Sequence, residues 1–436
     1  MDKLDRLLVI LRRGGFLRGE EIQRELGISQ PTMSRLMREA GHRVCRFGKS
    51  VATRYALSRE IAGIGRNLPV FRVDESGHPN QLGLLHLLSG GRSWLERASG
   101  DGQEFSGLPP FVEDMRPQGY IGRGFPSLYP ELRLPQRISD WNEDHQLTSL
   151  ALRGEDCVGN LVIGEESLDR FLAGQPQARA RTDFPSLATG VLAGQLGSSA
   201  GGEHPKFAVY SAERHVLVKF ASGDGAAADR WRDLLVCEHV ALEVLRDAGI
   251  PVSQSEWFDL DGIRFLQLNR FDRIGARGRR GVISLFAVNN HFLGDIPDNW
   301  SRASRRILEE PDLSMAIEHA DRMIWLDTFG DLIANGDRHF GNLCFFADEA
   351  RHLGLTPAPV YDMLPMTFAP ADTSLVERRF TPRPPTALNT HLWHDAANQA
   401  IRFWSRLCAE DGLSTGFQRV SQECRDQLAR LIEEYQ

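Results

Sequence analysis

Between positions 315 and 365 the sequence sets three oxygen-bearing side chains in an order that few folds can satisfy. A strong helical pattern from Met315 to Asn335 carries Ile317, Ala320, Ile324, Asp327 and Leu332 in succession, and Asn335-Gly336 predicts its C-terminal stop. The segment DRHFGNLCFF follows at once. PAPVYDMLPM then brings a further carboxylate, Asp362, behind an apolar run twenty positions beyond Asn342. Phosphoryl transfer requires a carboxylate to receive the hydroxyl proton and oxygen ligands for Mg²⁺ that keep the phosphates in line. Asp337 and Asn342, five positions apart on one loop, supply the base and one ligand; Asp362, expected at the end of a following strand, supplies the second ligand. Taken singly, Asp337 would be a helix-end cap and Asp362 a turn residue; the order of the three is what favours the chemistry.

Upstream lies a matching set of parts. SSAGGEHPKFAVY combines Ser198, Ser199, Ala200, Gly201, Gly202 and Lys206 ahead of a predicted strand. Its glycines let backbone N–H groups approach an anion closely, and Lys206 adds positive charge. Alone, such a cluster is an ordinary turn. The β-rich run RHVLVKFAS places Lys219 near a strand end, and a helix is predicted from about Arg230 to Ala248, with Leu234, Leu235, His239, Leu242 and Leu245 on one side. Glu238 on that helix is either the partner of Lys219 or a solvated carboxylate. GIRFLQLNRFDRIG reads as a strand entering a hinge, where Asn269, Arg270 and Phe271 would line an adenine slot. His339 and Tyr361, beside the two acidic positions, complete the expected nucleotide contacts.

The first 58 residues differ in charge from the rest. They hold twelve Lys/Arg and six Asp/Glu, a net of +6 in a chain whose total is −7, which leaves −13 on the remainder. A basic head on an acidic body suggests that only the head meets a polyanion. Leu4, Leu7, Leu8 and Leu11 predict a first helix stopped by Gly14-Gly15, a second runs over Gly19 to Leu26, and Gly27 makes the turn into a third. Ser29 is its expected N-cap, Pro31 suits its first turn, and it ends near Ala40. Gln30, Thr32, Ser34, Arg35 and Arg38 are left for an outer face that can reach bases and phosphates. Two short strands around Gly48-Lys49-Ser50 then form a wing carrying Arg46 and Lys49. The whole resembles a winged helix-turn-helix, against the plainer reading of a three-helix domain with a solvated basic face.

From about Glu60 to Gly174, segments such as NLPVFRV, LGLLHLL and LTSLALRGEDCVGNLVIG suggest a small mixed α/β subdomain without catalytic spacing or internal repeats. Phe105 to Tyr120 reads as a connecting loop, and Ala178 to Gly197 as an irregular stretch. Hydrophobic content of 42% and charged content of 25% indicate a globular chain of about two to four domains. Six cysteines without CxxC spacing indicate neither zinc nor a disulfide framework and suit a reducing cytosol. No apolar run reaches the ~18 residues of a membrane span, so a cytoplasmic protein without membrane contact is expected.

Together, SSAGGEHPK, VLVKF, CEHVALEVLRDAGI, NRFDR, NGDRHFGN and VYDMLP are similar to the HipA family of bacterial toxin kinases, from about Leu84 to the C-terminus. The resemblance implies a bilobal, protein-kinase-like fold with a largely helical C-lobe, and ATP and Mg²⁺ as cosubstrates. Lys219 would then hold ATP phosphates, Asp337 would be the base, and Asn342 and Asp362 would hold metal. Ser199, with Ser198 beside it, matches the loop serine that the family phosphorylates on itself, and His204 stands where relatives often carry Gln or Arg. Relatives use a separate DNA-binding antitoxin, whereas here the DNA-binding part is in the same chain; an antitoxin partner and self-contained regulation both stay open.

The expected organisation is a multidomain α/β (α+β) chain. A winged helix-turn-helix occupies 1–58, a HipA-like N-terminal subdomain 59–185, a kinase N-lobe with ATP loop and hinge 186–275, and a helical C-lobe with the catalytic loop 276–436. The expected activity is transfer of the ATP γ-phosphate to a Ser/Thr hydroxyl, on a protein substrate and on itself, with duplex DNA bound by the head. The alternatives are a small-molecule kinase built from the same parts and a nucleotide-sensing transcription regulator.

Overall fold

The computed structural model describes residues 2–48, 53–194, 204–294, 298–349, 353–371 and 374–435. It is a mixed α/β structure of two compact units, one formed by Met1–Pro117 with Tyr129–Gln175, the other by Gln118–Leu128 with Pro176–Gln436.

In the first unit, three helices, Lys3–Gly14, Gly19–Leu26 and Gln30–Ala40, precede strands Val44–Phe47 and Arg54–Leu57, with Leu17–Arg18 as the third strand of that sheet. Asp2 starts the first helix by accepting from the Asp5 N–H at 2.7 Å. Leu7, Leu11, Ile22, Met33, Leu36 and Leu57 form the core of this head. The expected Ser29 cap takes another form: its hydroxyl lies 3.1 Å from that of Thr32, and its side chain makes no bond to a helix N–H.

Behind the head stands a five-stranded antiparallel sheet in the order Gly102–Ser106, Arg92–Arg97, Pro79–Leu88, Asn67–Val73, Leu161–Ile163. Alternation along these strands turns Val70, Leu85, Leu87, Leu95 and Ile163 toward helix Glu143–Arg153, where Leu147 and Leu150 meet them. The stretch expected to be a loop contains helix Pro110–Met115. Pro110 pre-sets the first turn, and Val112 and Met115 gain burial on the same core.

Head and sheet are stitched together. Ser89 N–H donates to Leu57 O and Arg59 N–H to Leu87 O, both at 2.8 Å, so the head's last strand runs on into hydrogen bonds with the end of the sheet. Phe47 fills the joint, with its ring centroid 4.7 Å from Trp94, 5.3 Å from His86 and 5.5 Å from Phe16.

The second unit opens on a four-stranded antiparallel sheet in the order Ser255–Leu260, Ile263–Asn269, Arg214–Ala221, Lys206–Ser211. Helix Phe184–Gly194 covers one face, in the stretch expected to be irregular. Phe184, Leu187, Ala188 and Val191 follow helical spacing and pack on Phe207, Phe220 and Phe265. Helix Ala226–Asp247 begins four residues before its expected start and covers the other face through Leu234, Val240, Ala241 and Leu245 with Leu266 and Leu268. The remainder is largely helical: Trp300–Glu309, Ile317–Leu332, Thr390–Cys408 and Thr415–Glu434 pack in succession, with a small sheet that includes Cys344–Glu349 and Leu353–Pro357. Among the described residues, no helix is long and apolar enough to cross a membrane.

Phe47 is 4% exposed and anchors the joint, so Phe47→Ala should cost about 3–5 kcal/mol of stability. Urea unfolding followed by tryptophan fluorescence measures this, with Trp94 as a local reporter; a loss below ~1 kcal/mol, typical of surface positions, would show that the joint does not stabilise the unit.

Candidate functional site

A two-residue hairpin determines the charge pattern of the second unit's sheet. Ala212 and Glu213 both have positive φ, 46° and 60°, and link Ser211 to Arg214. That turn fixes the register in which Lys206 lies directly opposite Lys219. Like charges facing each other across a ladder repel, and the arrangement calls for negative charge between or beside them. Val216, Val218 and Phe220 point to the aromatic core, so alternation sends Lys219 to the other face, toward helix Ala226–Asp247.

There Lys219 meets Glu238 at 2.5 Å and also contacts Asp362. Glu238 is fully buried, and its second oxygen accepts from the Asp362 N–H at 3.1 Å. Burial works against the Lys219 charge, but the Asp362 and Glu238 carboxylates overcome it and hold the ammonium above the ordinary lysine range. Burial likewise opposes ionisation of Asp362, yet Lys219 and then Lys206 hold its carboxyl down at about 2. A depressed carboxyl stabilises the fold at pH above its unfolded value near ~4 and loses that contribution as pH falls through the folded value, so Asp362 and Lys219 are charged at neutral pH, while burial pushes the Glu238 carboxyl up against the pull of Lys219. Lys206 itself makes no ion pair among the described residues.

The acidic loop is brought to this place by Asn335, which is 1% exposed. Its Oδ1 accepts from the Asp337 N–H at 3.1 Å and its Nδ2 donates to Asp362 O at 3.3 Å, so one amide pins both loops. Helix Ile317–Leu332 therefore ends before Asn335, and Ala334, at φ 60°, turns the chain out of it. Asn342 Nδ2 donates to Asp337 O at 2.8 Å, which leaves Asn342 Oδ1 as the oxygen available to a cation. Behind the loop, Arg338 donates to Asp327 and Asp331, each at 3.0 Å, and to the Asn335 carbonyl. A Cβ on Gly330 would stand 2.5 Å from Arg338 Cδ, so glycine leaves the room that this clamp needs. Asp337 is exposed at the loop surface.

The other expected contacts are placed as follows. Tyr361 donates to Gly341 O at 2.7 Å, and its ring lies 5.6 Å from that of Phe271. His339 Nδ1 accepts from the Gly341 N–H at 3.1 Å. Asn269, the last residue of its strand, donates to Gln254 at 2.9 Å, and Arg270 is engaged on Asp272 at 3.0 and 3.1 Å. Ser198, Ser199, Ala200, Gly201, Gly202 and Lys49 lie outside the described residues. In the head, Gln30, Ser34, Arg35, Arg38 and Arg46 are exposed and Thr32 is half-buried.

Sequence reasoning missed Asn335, Arg338 and the facing lysines. Asn335 was visible only as a helix stop, and the lysine register depended on a turn that lacks Gly and Asn.

Comparison with known proteins places the chain in a family. Residues 64–172 match the YjjJ-like toxin middle domain, and residues 198–432 match the HipA-like C-terminal domain. The chain is 37% identical over 433 residues to Toxin YjjJ of Escherichia coli (strain K12), covering 95% of each. It is similar in fold to HipA of Shewanella oneidensis MR-1, solved with HipB and its operator DNA. The TM-score is 0.51 at 14% identity, over 84% of this chain and 97% of that one. A weaker match, at a TM-score of 0.37 and 13% identity over 53% of this chain and 93% of that one, is the Helicobacter pylori proinflammatory kinase CtkA.

Lys219→Met should leave the buried Glu238 and the part-buried Asp362 without their cation and cost about 3–5 kcal/mol. Asp337→Ala, at an exposed position, should stay within ~0.5 kcal/mol of the parent. Thermal melts of the two variants test this contrast, and equal losses would contradict the assignment of Lys219 as the structural centre of the site.

Proposed function

The chain belongs to the HipA-like toxin family, and from that premise we propose that it is an ATP- and Mg²⁺-dependent serine/threonine protein kinase whose N-terminal winged helix-turn-helix binds duplex DNA. The observation that carries the enzymatic part is the facing pair of Lys206 and Lys219 beside Asp362, with Asp337 pinned to the same place through Asn335.

Lys206, Lys219, Glu238 and Asp362 sum to zero charge, so an incoming polyphosphate needs a cation with it. Among the described residues no three His, Cys, Asp or Glu side chains gather into a metal cage. Mg²⁺ is commonly held by one or two carboxylates together with substrate phosphates. Bound MgATP would supply the transferable γ-phosphoryl group and the metal that neutralises it. Asp362 and the Oδ1 of Asn342 would hold the metal, Lys219 and Lys206 would hold the phosphates, and the exposed Asp337 carboxylate would receive the proton of the acceptor hydroxyl. Arg338 and Asn335 keep Asp337 in position without touching the acceptor. On this reading Ser199, or Ser198, is the autophosphorylation site.

The head's exposed Arg35, Arg38 and Arg46 support the DNA part, because the buried stripe Met33, Leu36 and Ala40 turns the third helix's polar residues outward. The Shewanella oneidensis HipA was solved with a separate HipB on operator DNA; here the DNA contact would be made in cis, and a partner protein would add to it.

Purified protein with γ-labelled ATP and Mg²⁺ should label a protein hydroxyl, and Asp337→Ala should lower transfer by about 10²–10⁴-fold while ATP still binds. Asp362→Ala should lose Mg²⁺-dependent ATP binding as well. Mass spectrometry should find phosphate on Ser199 or Ser198 only where Asp337 is intact. Label appearing in a metabolite, or undiminished transfer by Asp337→Ala, would overturn the assignment.

Duplex DNA binding should weaken with salt at a log-log slope of about −0.9 per phosphate neutralised, and Arg35→Ala and Arg38→Ala should each flatten that slope by about one such step. Binding that ignores salt would refute the DNA reading of the head.

A further inference from the structure

Beside the facing lysines sits a histidine whose ring nitrogens make no hydrogen bond of good geometry. His204 lies two residues before Lys206, with its ring centroid 4.7 Å from that of Trp231, which is carried by helix Ala226–Asp247. The residue as a whole is half-buried, but both ring nitrogens are shut off from solvent and neither makes a hydrogen bond of good geometry. The Phe220 backbone is the smallest of the influences on the ring. Buried donors and acceptors are ordinarily paired, so an imidazole with neither nitrogen in a well-formed hydrogen bond requires an explanation. Its charged surroundings are Lys219, Lys206 and Asp362, the groups at the phosphate end of the site.

Burial, reinforced by Lys219 and Lys206, holds the imidazole far below the ordinary histidine range, at about 3, so the ring is neutral and offers one N–H donor and one acceptor. A neutral donor adds a directed hydrogen bond to an anion without placing a third positive charge against the two lysines. The ring makes no hydrogen bond to Asp362, whose Oδ1 accepts from Lys219. The Trp231 ring fixes where the imidazole stands.

Resting on the nucleotide-binding reading above, we propose that His204 is a further nucleotide-binding residue, whose ring N–H donates to a phosphate oxygen of ATP. The plainer explanation, an aromatic ring retained for packing on Trp231, makes a different prediction. His204→Phe keeps the ring and its stacking and removes both nitrogens, whereas His204→Gln keeps a donor and loses the ring.

Isothermal titration of the full chain with MgATP and with adenosine separates the two. His204→Phe should weaken MgATP binding by at least ~10-fold, the loss expected for a hydrogen bond to a charged group, and shift adenosine by less than ~2-fold. His204→Gln should bind MgATP within ~3-fold of the parent. His204→Phe should also melt no lower than the parent, because it removes buried polar atoms that have no partner. Unchanged MgATP binding by His204→Phe, or an equal loss for MgATP and adenosine, would overturn the proposal and leave the kinase reading standing. A parent chain that binds no MgATP would overturn both.

Discussion

A lysine held between two carboxylates out of water is the constraint on which the second unit depends. Lys219, Glu238 and Asp362 come from a strand, a helix and a loop separated by up to 143 positions in sequence. Each charge is costly to desolvate alone, and the set is tolerable only when all three are present with their hydrogen bonds made. That condition fixes how the helix lies on the sheet and how closely the Asp362 loop approaches both. The same interaction that specifies the fold thus delivers a carboxylate and a lysine to one place.

Around this centre, rigid and reactive groups are kept apart. Asn335 and Arg338 spend their hydrogen-bonding capacity on backbone and on Asp327 and Asp331, and Asp327 in turn accepts from the Ser301 hydroxyl at 2.6 Å. Asp337, on the loop these groups hold, remains at the surface. A loop braced from behind can present a carboxylate in a fixed direction without burying it, which fits the proposed role of Asp337 as acceptor of a hydroxyl proton.

Much of this was legible in the sequence. The helix Gly19–Leu26 has the bounds its glycines suggested, and the order of strand lysine, helix glutamate, loop carboxylate and second carboxylate is realised as contacts or as a shared pin. What escaped was geometry carried by residues of the wrong apparent type. Hairpin turns with two positive φ values are sought at Asn-Gly or Asp-Gly, and Ala212-Glu213 adopts that backbone without either signal, so the register opposing two lysines was hidden. Asn335 looked like a stop because its bond to the Asp337 N–H is local, whereas its second partner, the Asp362 carbonyl, is 27 positions away, beyond any local pattern. Helix Phe184–Gly194 was missed although its apolar spacing was present, since nothing local announces the aromatic sheet face that makes the spacing useful.

The joint between head and middle sheet bears on how such chains can be recombined. Leu57 and Arg59 hydrogen-bond to the sheet end, and Phe47 sits against Trp94. A head borrowed from another protein would arrive with its own core intact but without the ring that covers Trp94, and with a final strand out of register with Leu87 and Ser89. The three-helix module is therefore not the segment that can be exchanged between proteins. The smallest exchangeable piece extends at least through the strand that carries Trp94, and head and sheet are expected to be inherited together.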